Sequence, residues 1–406
     1  MDFAMSVKAV YCHQWLSDFM MEYILPVETN YGQYHHEAGP QNQMVPPIIE
    51  KLKTKAKERG LWNLFLPAKS GLANLKYAQL TERIGGSLAI GPESLNCAKP
   101  GTSNIEILYM LDTDEHRTKW LQSLLDGEIR STVSILPETA NNGIHNTETT
   151  ISRNGGDYIA NGRKWWMSKT TDPRCQILIT IGRTNPDTTA HHQQSMILTS
   201  MNNHGVKIIR LTSMLDWQYQ HGRCELVYNN ARVPTTNLLG EEGSGFAIAQ
   251  ARLRPGHIHH YMRALGGAER ALVLMVDHVR DRVAFGCTLT DQSVVQHLVA
   301  KSHKEIDQVR LLCEKATWTI YQHGNKTTQH LVAVIKAVAL QVTCYVINHE
   351  IQVHGTAGVS DDAVLARLYT WHSVMRFFSG LDEVHMRSVA RVELEQWTSP
   401  FAVAVT

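Results

Sequence analysis

The chain has 406 residues, 43% of them hydrophobic and 19% charged, which suits a globular protein with a large core and two or three substructures. A formal net charge of +1 supplies no basic face or tail, so neither a nucleic-acid nor a membrane partner is expected. The seven cysteines are scattered and never form a C-x-x-C pair, no signal-peptide pattern opens the chain, and no apolar run is expected to reach membrane-spanning length; reduced, mostly buried thiols and a cytoplasmic location are the expectation.

Residues 1–132 carry apolar positions at three- and four-residue spacing, as in Pro47–Gly60, Leu75–Ile84 and His116–Gly127, and predict a helical N-terminal domain. Near Ser131 the period changes to short β-rich runs. These are Ser131–Leu136, Thr149–Arg153, Asp157–Met167, Gln176–Arg183, Ser195–Met201, Val206–Leu211 and Glu225–Tyr228. Asn154-Gly155-Gly156 and Asn161-Gly162 read as hairpin turns, so residues 133–243 predict an antiparallel β barrel or sandwich. Residues 244–406 return to helix, with segments near 246–254, 258–286, 291–322, 327–355 and 361–378 that predict a C-terminal four-helix bundle. The class is α+β.

Two glycine-broken turns punctuate the last part. Gly355-Thr356-Ala357-Gly358 opens the block that runs to His385, and Ser379-Gly380-Leu381 re-enters helix at Asp382-Glu383. Glycine at such points lets backbone N–H groups approach an anion, and the following helix N-terminus favours negative charge. Taken alone, each turn is equally a plain helix–helix loop.

The order helical, β, helical bundle resembles the acyl-CoA dehydrogenase family over nearly the whole chain. The branch most similar has a Lys-Trp-Trp strand, here Lys164-Trp165-Trp166, and a last turn reading Gly-x-Asp-Glu-Val-His, here Gly380 to His385. The resemblance implies an FAD-dependent oxidoreductase that removes the α-proton and β-hydride of an acyl-CoA thioester, a small-molecule substrate, and that assembles as a homodimer or homotetramer. Asn161 to Ser168 resembles the strand beside the flavin, which implies that Trp166 flanks the isoalloxazine and that the Ser168 hydroxyl reaches toward N5. Arg282-Val-Ala-Phe285-Gly286 resembles the family's Arg-x-x-Phe-Gly, which implies an arginine on the cofactor pyrophosphate and a phenylalanine at the adenosine end. A planar, permanently charged guanidinium suits that task. Gln352, Gly355, Thr356 and Gly358 resemble the turn that receives the diphosphate of a neighbouring subunit's cofactor, with Thr356 replacing one of two usual glycines.

The departures lie at the reacting centre. Ser134 to His145 resembles the loop between flavin and substrate and keeps its proline at Pro137, but the flavin-bonding threonine falls on Ile135, which removes a hydrogen bond worth roughly 1 kcal/mol. The carboxylate base that precedes the final-turn glycine is Ser379, a poor base whose backbone N–H can still polarise a thioester carbonyl. The alternative base position on an earlier helix is Gly256. Beside it stands His257, read either as a group that titrates near neutral pH and takes the proton or as a solvated or core histidine. His259 and His260 belong to the branch's pattern, and no metal site is expected from the cluster. Asp382 and Glu383 read as capping and subunit-contact residues, with Glu383 also a candidate replacement for the base. Three functional readings follow: a flavin oxidoreductase acting on an unusual acyl or carbonyl substrate, a non-redox isomerase, cyclase or lyase of a specialised biosynthetic pathway on the same scaffold, or a non-catalytic partner subunit.

Overall fold

The computed structural model describes residues 3–39, 43–111, 113–136, 147–215, 223–323, 329–378 and 380–396. They form two compact units, Ala4–His259 and His260–Thr406, the second taking in Met1–Phe3.

In the first unit the helical layer begins the chain. Pro47–Glu58 starts with proline, whose missing N–H costs nothing in a first turn, and buries Ile49, Leu52 and Ala56 along one stripe. Asp114–His116, Arg117–Leu121 and Gln122–Asp126 run on as one helical stretch, capped by the Thr113 hydroxyl, which accepts from the His116 N–H at 3.3 Å, and ended by Gly127 at φ 76°.

The strands are β1 Arg130–Ser134, β2 Thr150–Asn154, β3 Asp157–Ser168, β4 Cys175–Arg183, β5 Gln194–Ser200, β6 Val206–Thr212, β7 Arg223–Pro234 and β8 Leu238–Leu239. They form one sheet in the order β6-β7-β3-β2-β4-β5-β8, with β1 paired to β4. Most pairs are antiparallel, but β1 and, at Thr150–Arg183, β2 run parallel to β4, the intervening chain giving β1 the long connection that a parallel pair needs. Strand alternation splits the apolar run of β4 between two cores. Ile177, Ile179 and Ile181 join Met196 and Leu198 against the helical layer, whereas Leu178 and Ile197 face Tyr158, Leu226 and Tyr228.

A buried ion cluster ties helix to sheet. Glu93 meets Arg130 at 2.7 Å, Lys169 at 2.6 Å and Arg174 at 2.9 Å. Burial alone would raise the Glu93 carboxyl, but the three cations hold it well below the usual carboxylate range.

Of the two expected hairpin turns, one forms. Asn154 pairs with Asp157 across Gly155-Gly156. Asn161-Gly162 is no turn; it lies inside β3 at a register shift against β7, with Gly162 at φ 142°. A side chain at Gly162 would start 2.7 Å from the Thr149 Cα, so glycine here serves a close backbone approach that local sequence does not announce.

The second unit is the bundle. Its long helices are the part of Gly245–Asp281 from His260 onward, Ser293–His323, Gln329–His354 and Asp382–Gln396, joined by Thr356–Val359 and Leu365–Met375. The expected break between 254 and 258 is absent, for the helix runs on through Pro255. Its expected end at 286 is also wrong: it stops at Asp281, and Val283–Ala284 pairs with Cys287–Thr288 as a small hairpin. Gln329–His354 packs most extensively on Ser293–His323, Leu365–Met375 and Asp382–Gln396. Contrary to the sequence expectation, His330–His354 is long and apolar enough to span a membrane by length and composition, yet 61% of its most apolar window is buried within the fold, as befits a core helix. Lys336 on that helix is fully buried and anchors the last one, its Nζ donating to Asp382 Oδ1 at 2.9 Å and to the Arg376 carbonyl at 2.7 Å.

Candidate functional site

The Lys-Trp-Trp segment lies at a second register shift of β3, between Lys164 and Met167. Trp166 takes φ 60° there, a left-handed conformation that costs a bulky residue roughly 1–2 kcal/mol. The turn of the backbone sets its ring 5.3 Å from that of Trp165 at 70° and leaves Trp166 half-buried. Surrounding bonds fix the strained segment. The Trp165 N–H donates to the Leu136 carbonyl at 3.0 Å, Lys164 Nζ to the Ile135 carbonyl at 2.8 Å, and the Thr132 hydroxyl to the Ser168 carbonyl at 2.6 Å. Lys164 is fully buried, and burial pushes its amine down to about 7, Glu148 opposing the shift only in part. On β7, Arg223 pairs with Ser168 in register and donates from Nη1 to its hydroxyl oxygen at 2.8 Å.

The second motif forms a turn in the bundle unit. Arg282 follows directly on the Gly245–Asp281 helix, and Phe285-Gly286 sits at the tip of the small hairpin with φ 54° and 85°, the signs of a type I′ turn. Phe285 is 101% exposed, an unusual state for a large apolar side chain already strained by its backbone. Among the described residues no side-chain hydrogen bond or ion pair engages the Arg282 guanidinium.

The third motif comes to the same place. Arg282 and His354 line one open depression of about 400 Å³ together with Leu274, Asp277, His278 and Asp281. Gln352, Gly355 and Thr356 flank His354 in the chain and are exposed. Gly355 ends the helix at φ 64°, and Gly358 packs so tightly that a side chain there would begin 2.7 Å from the Ile351 carbonyl oxygen. His354, within the third motif's stretch, thus shares a depression with Arg282 of the second.

Sequence reading missed what lies under that surface. His354 stacks on His278 with ring centroids 3.8 Å apart, and its Nδ1 stands 2.7 Å from Glu350 Oε1. The contact is short but off the line of a well-formed hydrogen bond. Burial pushes the Glu350 carboxyl up to about 8, and burial, then the neighbouring His278, pulls His354 down. Both shifts favour the neutral pair at pH 7. A lone Glu inside an apolar helix was the available signal, though it does not name its partner.

The proposed acid–base residues are more dispersed. His257 is buried on the Gly245–Asp281 helix. Lys99 Nζ donates to the carbonyl of neighbouring Gly256, where a side chain would begin 3.1 Å from both Lys99 Nζ and Ser103 Oγ. His259 packs edge-on to Tyr77 at 4.7 Å, and His260 stacks on Phe378 at 6.0 Å. Ser379 and Pro137 lie outside the described residues, as do Asn142-Gly143, onto which the Ser-Asp of the resembled loop falls, and His145. Glu383 is exposed, whereas Asp382 is buried between Lys336 and Arg376, the latter at 2.7 Å.

Comparison with known proteins decides the family. The chain is 62% identical over 407 residues to the "Probable acyl-CoA dehydrogenase FadE2" of Mycobacterium tuberculosis, covering 100% of both. It belongs to the acyl-CoA dehydrogenase family. Residues 243–394 match the family profile for the acyl-CoA dehydrogenase C-terminal domain. Mouse "Acyl-CoA dehydrogenase family member 11" is 40% identical over 94% of this chain, which spans 49% of that longer protein. Among solved structures, "Structure of a putative acyl-CoA dehydrogenase from Mycobacterium abscessus" superimposes with a TM-score of 0.94 at 33% identity, covering 97% of this chain and 100% of that one. The butyryl-CoA dehydrogenase of Megasphaera elsdenii shares the fold with a TM-score of 0.82 at 23% identity, over 97% and 100% of the two chains. As an acyl-CoA dehydrogenase family member, the protein owes its helical layer, sheet and bundle to that fold.

Proposed function

We propose that this chain is an FAD-dependent oxidoreductase that takes hydrogen from the α and β carbons of an acyl thioester or related carbonyl substrate and works as a homodimer or homotetramer. The Arg282–Gly286 turn carries the reading. It presents a guanidinium engaged by no described side chain and a fully exposed, strained Phe285, the donor and the apolar face that a dinucleotide diphosphate and its adenosine require. In this reading Arg282, Gln352, Gly355 and Thr356 hold the diphosphate of a neighbouring copy's FAD, with Phe285 at its adenosine end. Trp166 and Ser168 hold the isoalloxazine. Exposed Val384, Met386 and Leu394 on the last helix add support for assembly.

FAD, when bound, supplies the hydride acceptor. The chain's own part is to orient the substrate and dispose of the α-proton. Neither Ser379 nor Gly256 offers a carboxylate, so the proton leaves to His257 or to solvent, and the Ser379 N–H polarises the carbonyl. A weak base predicts low turnover of simple straight-chain acyl-CoAs, which points to a substrate whose α-proton is more acidic.

A visible spectrum of protein purified without added cofactor tests the reading, followed by release and identification of the chromophore. Bound FAD is expected; no flavin, with none taken up on titration, overturns it and brings the non-redox alternative forward. In flavin-loaded protein, Ser379→Glu should raise activity on straight-chain acyl-CoAs, and no gain would remove Ser379 from the reacting centre.

A further inference from the structure

Arg223 holds both side chains that face the proposed flavin. It is 3% exposed and lies opposite Ser168 in the β3–β7 register. Nη1 donates to Ser168 Oγ at 2.8 Å, Nε reaches Met214 Sδ at 3.1 Å, and the guanidinium carbon lies 5.4 Å from the Trp166 ring centroid. The backbone around these contacts is pinned, with the Thr212 hydroxyl on the Arg223 carbonyl at 3.0 Å and the Thr132 hydroxyl on the Ser168 carbonyl.

A serine hydroxyl has one hydrogen to give and two lone pairs to receive. When Arg223 fills a lone pair, the hydroxyl hydrogen must point elsewhere, so the arginine sets the direction in which Ser168 donates. The guanidinium also lays a permanent positive charge against the face of Trp166, and a cation over an indole holds the ring in place. Trp166 needs holding, since its left-handed backbone would relax if the ring were free. A fixed cation near a group that gains electrons favours its reduced state.

We propose that Arg223 is a positioning residue for the flavin: it aims the Ser168 hydroxyl, clamps Trp166 and raises the reduction potential of the cofactor. This rests on the FAD reading above. It is tested by spectroelectrochemical titration of the flavin in purified holoprotein, a readout independent of substrate and turnover. Arg223→Met should shift the balance toward oxidised flavin at least tenfold at a given potential, which for a two-electron couple is about 30 mV. Arg223→Lys, which keeps the charge and loses the fork, should keep at least half of the wild-type potential advantage over Arg223→Met. A flavin-loaded Arg223→Met protein whose balance lies within twofold of wild type overturns the proposal while leaving the FAD reading intact; a wild-type protein that takes up no flavin overturns both. If Arg223→Met fails to fold, Arg223→Lys is measured in wild-type and Ser168→Ala backgrounds. Acting through Ser168, its effect should fall by more than half without the hydroxyl, and an equal effect in both backgrounds overturns the positioning role.

Discussion

The Trp166–Ser168 strand and the Arg282–Gly286 turn hold comparable strain but manage it in opposite ways. Trp166 at φ 60° is enclosed by hydrogen bonds from β1 and the Ile135–Leu136 segment and by the guanidinium of Arg223. Phe285 at φ 54° stands 101% exposed at a hairpin tip. The first is packed by its own chain, whereas the second leaves a strained aromatic open to solvent, the arrangement from which the cofactor proposal starts. Strain inside a bonded frame is held by that frame, whereas strain on an exposed aromatic has no such support from its own chain and motivates a functional hypothesis.

The largest expected effect comes from breaking the enclosed frame. Gly162→Ala would force a Cβ to within 2.7 Å of Thr149 Cα and should cost roughly 3 kcal/mol of folding stability by denaturant titration. A loss under about 0.5 kcal/mol would mean the β3 register is softer than described. At the exposed turn, Arg282→Ala should leave stability within about 0.5 kcal/mol but weaken FAD binding by about 1.5–3 kcal/mol, more than tenfold in Kd by titration. An unchanged Kd would separate the turn from the cofactor.

Beneath that turn the comparison can be sharpened with pH. The Glu350 carboxyl titrates near 8 in the folded chain and near its ordinary value when unfolded, so between those points the folded state binds more protons. Its contribution is therefore full below about pH 4.5 and is lost as pH rises toward 8. Glu350→Gln should flatten this decline, gaining on the order of 2 kcal/mol over wild type between pH 5 and pH 8. Identical pH profiles would mean that Glu350 ionises without cost. The smallest effect on folding is that of Phe285→Ala, within about 0.5 kcal/mol. Its effect should appear instead in sedimentation velocity of the flavin-loaded protein, as weaker assembly; an unaltered distribution would assign the exposed ring another role.

The sequence by itself determined the fold class and most elements, because hydrophobic period and turn residues act over a few neighbours. β4 reads as an apolar run and is one, and Gly155-Gly156 closes the β2–β3 hairpin it suggests. Two motifs of the candidate site, Arg282–Gly286 and Gln352–Gly358, were legible as motifs but not as neighbours. Gly162 misled, since a glycine needed for a close approach to Thr149 looks locally like a glycine needed for a turn. Arg223 beside Ser168 and His278 on His354 were invisible, because register and helix packing join residues 55 and 76 positions apart, whereas Glu350 and His354 are a local pair whose burial the sequence did not announce. Local propensity writes the elements, but charge placement, burial and the resulting shifts in protonation belong to neighbours that only tertiary structure supplies.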